Sequence, residues 1–348
     1  MALNQVGLER LGTSVTDKIG ERKNLIINGA MQVAQRGNVS SVTDGYGGAD
    51  RFKFNRSGAA VVTLRQQGVG NSPTDQGFGF CQQIDVTTAD SSLAAGDYAL
   101  ISYRFEGQDL QQLKKGTANA QQVTLSFYIK SPKTGTHIVE LVDQSNSARH
   151  VNKAYTVSSA NTWEKKTVTF PMETSNTITN DNARRMDLNW WLAAGSTYSS
   201  GSLQTSWGAD TDANRAVGQV NCMDSTDNNI FITGVQLELG TVATDFEHRS
   251  FVEELALCQR YFEIAEGGFE GPVYATDSDM KVSVPYKVTK RANPTLTSIS
   301  TSENCCSSVS VVANSFDETL GARVQGNNVF NDGSGRFFYA KFSADSEI

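Results

Sequence analysis

Histidine, cysteine and positive charge are all in short supply in this chain. The three histidines, His137, His150 and His248, stand far apart, and the five cysteines, Cys81, Cys222, Cys258, Cys305 and Cys306, form no C-x-x-C pair. Zinc-type sites need ligand pairs at matched spacing, so no metal is expected. The cysteines are odd in number and scattered, and the adjacent pair Cys305 and Cys306 could close only a strained ring. A disulfide framework is thereby excluded and reduced thiols are expected. Thirty Lys and Arg stand against 37 Asp and Glu, a net charge of −7. A chain of that sign lacks the footprint needed to neutralise phosphates, which excludes a basic nucleic-acid binder. Long apolar runs are missing too, so no membrane insertion is expected, and the start MALNQVGLER lacks the apolar core of a signal peptide. Synthesis and folding in a cytoplasm are the expectation.

Neutral polar residues are what the chain has in abundance. Its 348 residues include 34 Ser, 31 Thr, 24 Asn and 19 Gln, close to a third of the total. Short polar side chains compete with the helical backbone but suit strand faces and turns, so a mostly β protein is predicted.

The first twenty-odd residues stand apart. Leu3, Val6, Leu8, Leu11, Val15 and Ile19 recur at roughly helical spacing, but Gly7, Gly12 and Gly20 interrupt them. A helix so short and glycine-rich is marginal alone, which suggests a segment ordered against sister chains or a docking protein; a frayed tail is the plainer reading. From Asn24 to about His248 the period is almost entirely two. Val123, Leu125, Phe127 and Ile129 alternate with polar neighbours, as do Phe231, Val235, Leu237 and Leu239. The alternation recurs over 98–105, 138–142, 163–170 and 186–192, and more weakly over 25–33 and 61–65. Turn clusters separate the runs. Eight or more strands with one buried face each predict a jelly-roll β-sandwich.

One helix is predicted after it. Ser250 and Glu253 form a capping box, Phe251, Leu255, Cys258 and Phe262 make an apolar stripe, and Gly267 with Gly268 would stop it. Beyond lie Val282, Val284, Tyr286 and Val288 in alternation and shorter apolar runs at 309–312, 322–324 and 337–342. They suggest a second β module, with Pro285 implying an edge strand. The expected organisation is all-β: an anchor or oligomerisation segment (1–22), a jelly roll (23–249), a connecting helix (250–266) and a C-terminal β module (267–348).

The phrases NLIINGAMQVAQRG at 24, YGGADRF at 46, QQVTLSFYIKSPKTGTHIVEL at 121, TWEKKTVTF at 162, LAAGSTY at 192, STDNNIFITGVQLELGTVATDFEHRS at 225 and EELALCQRYFE at 253 follow one another along the chain, with an echo in KRANPTLTS at 290. In that order they resemble the modular tail-fibre or host-specificity proteins of bacteriophages. The resemblance implies a jelly roll similar to carbohydrate-binding modules, mounted on a virion through other tail proteins and usually trimeric. It implies no catalytic residues and no cofactor. The length fits a short fibre, adhesin or decoration better than a long shaft. Leu3, Leu8, Leu11 and Val15 are the candidates for particle attachment.

Sugar recognition by a sandwich combines aromatic faces with Asp, Asn or Gln that bond hydroxyls. In 186–192, Met186, Leu188, Trp190 and Leu192 share one face, so Asp187, Asn189 and Trp191 lie on the other. Trp190 is therefore assigned to the core. Trp191, with Tyr198, Trp207, Asp210 and Asp212 from the following loop, forms the candidate ligand set; the competing reading has Trp191 covering a neighbouring strand or subunit. Asp210 with Asp212, and Asp224 with Asp227, lack the spacing of a calcium loop and read as turn residues. The basic pairs Arg184–Arg185 and Lys290–Arg291 could hold acidic polysaccharide, although isolated pairs are usually solvated. No G-x-S-x-G, H-E-x-x-H or phosphate loop occurs, nor the short repeats of a β-helical depolymerase. The expected function is non-catalytic attachment of a virion to host polysaccharide or lipopolysaccharide. A purely structural connector or head decoration and a glycan-degrading enzyme are the alternatives.

Overall fold

The computed structural model describes residues 23–145, 148–273, 278–313, 318–329 and 333–348. The segment carrying Leu3, Leu8, Leu11 and Val15 lies outside the described residues. Among those described, the strands form four antiparallel sheets. The first has six strands in the order β1 (Val39–Val42), β4 (Val61–Gln67), β5 (Cys81–Thr88), β13 (Asn229–Leu239), β7 (Val123–Lys130) and β10 (Glu164–Phe170). The second has seven: β12 (Gly208–Ala209), β9 (Arg149–Val157), β8 (Gly135–Asp143), β11 (Arg184–Ala194), β6 (Tyr98–Glu106), β3 (Lys53–Ser57) and β2 (Asp44–Tyr46). These two sheets pack face to face as an all-β jelly-roll sandwich.

The alternation read from the sequence sets the inner faces. Val123, Leu125 and Phe127 on β7 and Met186, Leu188 and Trp190 on β11 all lie within one core, each at most 2% exposed. The Trp190 ring meets Phe127 at 5.8 Å and Phe52 at 6.3 Å between centroids. Burying a side chain of this kind contributes about 1.5–3 kcal/mol.

Two expectations fail locally. Residues 25–33 are not a strand but a buried irregular loop, although Leu25, Ile26, Ile27, Met31 and Val33 all reach the core. Asparagine side chains replace the ladder: Asn24 Oδ1 accepts from the Ile26 and Leu237 amides, while Asn28 donates to the Val33 and Asp50 carbonyls. Gly29 is required there, because a Cβ would sit 2.1 Å from the Val235 carbonyl oxygen.

The connecting helix is also shorter than the predicted 250–266. Ser250 caps it as expected, accepting from the Glu253 amide at 3.3 Å, but the helix spans Phe251–Gln259. Phe262 already begins a strand, β14 (Phe262–Val273), and Gly267 and Gly268 lie inside that strand. Their role is close packing rather than helix termination: a Cβ on Gly267 would meet Val284 Cγ2 at 2.5 Å, and one on Gly268 the Phe338 carbonyl at 2.2 Å. The predicted apolar stripe is rotated as well. Phe251 is 52% exposed, whereas Glu254 is buried because its carboxylate takes the Arg249 guanidinium at 2.9 Å and the Asn28 amide.

The remaining strands make two three-stranded sheets, β14–β19–β16 and β15–β18–β17, with β15 at Ser278–Pro285, β16 at Thr295–Glu303, β17 at Ser308–Ala313, β18 at Gly321–Val329 and β19 at Gly333–Asp345. Pro285 closes an edge strand, as its missing amide requires. Val284, Val324, Phe338 and Phe342 form a core separate from that of the sandwich. Lys290 and Arg291 are not a solvated pair. Lys290 is 2% exposed, its ammonium held by Glu263 at 2.7 Å and by the Gln259 carbonyl, and Arg291 Nε donates to the Ser346 carbonyl.

The shared core makes a direct prediction. Trp190→Ala leaves a cavity between the two sheets and should destabilise the protein by about 3–5 kcal/mol, read as a lowered urea midpoint; an unchanged midpoint would contradict the placement of Trp190 between the sheets.

Candidate functional site

The outward face of the seven-stranded sheet carries a groove of about 300 Å³. Its floor follows from strand alternation and register. On β11, Asp187, Asn189 and Trp191 project away from the core, and opposite them on β6 stand Arg104, Ser102 and Leu100. Tyr98 extends the β6 row and Asn55 on β3 lies beyond it. Polar side chains cross the sheet as a connected chain. Asn55 Nδ2 donates to Ser102 Oγ at 3.0 Å, Ser102 Oγ to Asn189 Oδ1 at 2.7 Å, and Asn189 Nδ2 to Glu140 Oε2 at 2.9 Å.

Glu140 anchors the far wall. It is fully buried and receives Arg215 in a fork, Nε at 2.8 Å and Nη2 at 2.9 Å. Asp210 and Asp212 lie 3.9 and 3.6 Å from Arg215 Nη1. At the other end Arg184 Nε donates to Asp187 at 2.7 Å and Gln144 to the same carboxylate at 2.8 Å. Arg104 donates to the Ile348 carbonyl. The arginines of the groove thus already have acceptors, and forked pairing holds their planes fixed.

Aromatic rings close one end. Trp191 sits beneath Tyr198 at 5.5 Å and beside Tyr98 at 6.3 Å, and the Arg215 guanidinium lies 5.3 Å from its centroid. These rings, with Leu100, Ile138 and Ala216, form an apolar cluster of their own. Trp191 is 1% exposed and its indole nitrogen has no hydrogen-bond partner. The sequence placed Trp191 on the correct face; the loop after β11 then folds back over it, so the more accessible ring is Tyr198.

The other sequence candidates separate. Asp210 and Asp212 flank Arg215 and so support the groove wall. Trp207 is elsewhere: its Nε1 donates to the Pro171 carbonyl at 2.8 Å, and its ring lies 5.5 Å from the Lys115 ammonium, which is buried against Asp143 and Glu173. Asp224 pairs with Lys133 at 2.6 Å and with Asn228, away from Asp227. Arg185 pairs with Asp181. Among the described residues no group of three or more His, Cys, Asp or Glu could hold a metal, and all five cysteines are free and buried. Residues not singled out from sequence are Tyr98, Asn55, Ser102, Glu140 and Arg215. Tyr98 and Ser102 were available from the alternation of β6, whose other face carries Ile101, Tyr103 and Phe105.

No protein-family model and no curated protein sequence matches this chain. Among solved structures it is similar to the enzymatically active domain of tailspike protein 4 of bacteriophage CBA120, with 14% identity and a TM-score of 0.31 over 58% of this chain and 21% of that one. It is similar also to a family 11 carbohydrate-binding module of a cellulosomal cellulase of Clostridium thermocellum (12% identity, TM-score 0.30, 62% and 98% covered). A third is a putative sugar-binding protein from Bacteroides thetaiotaomicron (14%, 0.33, 62% and 100%). At these identities no residue is carried from one chain to another.

The groove wall contains a buried titratable group. His150 packs against Glu140 and Asp210 at 3.8 Å each, with the Thr211 amide donating to its Nε2. Burial pushes its pKa below the ordinary imidazole value, with Glu140 opposing and Arg215 reinforcing the shift. Burial acts in the same direction on His137, in the sandwich core. The unfolded chain takes up these protons from about pH 6.5 downward while the folded state resists them, so stability is complete above pH 6.5 and declines as the pH drops below it. The urea midpoint should fall between about pH 7.5 and pH 5.5; a midpoint that rises over that range would contradict the neutral, buried state of both rings.

Proposed function

We propose that the chain is a non-catalytic glycan-binding protein whose ligand lies in the groove across β3, β6 and β11. The observation that carries this reading is the mixed lining: an aromatic end of Tyr98 and Tyr198, backed by the buried Trp191, continuous with hydrogen-bonding Asn55, Ser102, Asn189 and Gln144. Rings of this kind pack against the CH face of a pyranose, while amide and hydroxyl groups exchange hydrogen bonds with its hydroxyls. The groups are set before any ligand arrives, which lowers the ordering cost of binding.

The finer reading is a short tail fibre or adhesin of a phage particle. It rests on the run of sequence phrases resembling host-specificity proteins and on the likeness of residues 1–22 to a partner-dependent anchor. Trimerisation and attachment to other tail proteins belong to the same proposal, and host polysaccharide or lipopolysaccharide would be the ligand. A repeated weak contact gains avidity in such an assembly without any new interaction.

The test is retention of the purified chain on immobilised bacterial polysaccharides and lipopolysaccharides. Binding is expected, and Ser102→Ala combined with Asn189→Ala should weaken it roughly tenfold, about 1.4 kcal/mol. Because Arg184 and Arg215 are already paired with carboxylates, raising NaCl from about 50 to 500 mM should change the affinity less than about twofold. Retention that collapses with salt would indicate charge capture instead, and release of oligosaccharide from the surface would indicate an enzyme.

A further inference from the structure

We propose that the C-terminal pair of sheets carries a second saccharide contact, separate from the groove and selective for uncharged sugar rings. It lies on the outward face of β14 and β19. In that pairing Gly268 stands opposite Tyr339 and Glu270 opposite Phe337. Phe338, between the two rings, is fully buried and stacks on Phe269 at 5.9 Å. Alternation therefore turns Phe337 and Tyr339 to the other face, about 7 Å apart along the strand.

Glycine is required at 268 by the close approach of β14 to β19, so the position opposite Tyr339 carries no side chain. A Cβ there would lie 2.2 Å from the Phe338 carbonyl oxygen and 2.7 Å from Tyr339 Cα, so no side chain can fill the flank of the ring. The result is a shallow depression of about 560 Å³ bordered by both rings, Glu270 and Ser302. Glu266, two positions before Gly268 on β14, stands on the same face of the sheet as Tyr339.

This combination matches a sugar better than a protein surface. The two partly exposed rings stand among Thr297, Ser300 and Lys341, with Ile264 on the same face of β14 and Ile299 exposed at an irregularity of β16, and together they fall short of the contiguous apolar patch that marks a protein interface. They do suffice to stack on the CH face of one or two pyranoses, with the Glu270 carboxylate and Ser302 hydroxyl accepting from ring hydroxyls. Glu266 and Glu270, both exposed, place like charge beside any uronate, which gives the site its discrimination against acidic glycans.

The contact shares with the groove only its class of ligand, and one experiment separates the two. The 348-residue chain is titrated calorimetrically with the strongest-binding neutral hexose oligosaccharide of an array that also carries uronate-containing glycans. Two equivalents should bind the wild type. Phe337→Ala with Tyr339→Ala should weaken one of them about tenfold, Ser102→Ala with Asn189→Ala the other, and the four substitutions together both. Glu270→Lys, at an exposed strand position, supplies an independent variant that should shift preference on the array toward uronate-containing glycans. The proposal is overturned if the wild type binds a single equivalent that the Phe337 and Tyr339 substitutions do not weaken. It is equally overturned if those substitutions change the mass measured by light scattering instead of sugar binding, which would make this face a contact between copies of the chain. If only the groove variant is without effect, the groove reading fails and the second contact stands.

Discussion

Two adjacent tryptophans on β11 divide the molecule into structure and site. Because successive side chains of a strand point to opposite faces, Trp190 must enter the core once Trp191 faces outward, and a slip of one residue would exchange them. Trp190 then fixes the spacing of the two large sheets through Phe52 and Phe127. Trp191 fixes the aromatic end of the groove. Everything else on the outer face, from Asn189 to Ser102 and Asn55, is placed by the same register.

Most of this was legible in the sequence, because a half-buried strand writes its orientation as a period of two. The alternation in 123–129 and 186–192 predicted both the strands and the faces of their residues, including the split between Trp190 and Trp191. The alternation failed where side chains substitute for backbone pairing. In 25–33 the apolar residues are buried as predicted, but Asn24 and Asn28 satisfy the backbone in place of a ladder. The helix was overextended for a related reason: paired glycines read equally well as a helix stop and as the point where two strands approach too closely for a Cβ. Long-range partners left no local signal. Nothing near Arg215 in sequence points to Glu140, and nothing near Trp207 points to Pro171.

Buried charge links the two parts of the chain. The Arg51 guanidinium lies 3.4 Å from the Tyr261 ring centroid, contacts Glu347 and is almost wholly buried. Arg260 forks onto Glu106 of the sandwich with Nε at 2.9 Å and Nη2 at 2.8 Å, and within the C-terminal part Lys290 is buried against Glu263. Taking such ions out of water costs several kcal/mol each, which only good geometry offsets. The cost of any misplacement favours one arrangement of the C-terminal sheets on the sandwich. A protein that presents two saccharide-sized surfaces gains from such rigidity, since the span between them then selects which glycan can reach both.

The central claim is that ligand enters the groove beside Trp191. The chain has four tryptophans, so a ¹⁵N-labelled sample gives four indole signals to assign among Trp163, Trp190, Trp191 and Trp207. Titration with a bound oligosaccharide should move the Trp191 indole signal, whose nitrogen has no partner in the free protein, and leave Trp190 and Trp207 in place. A titration that saturates while Trp191 stays fixed would contradict the account.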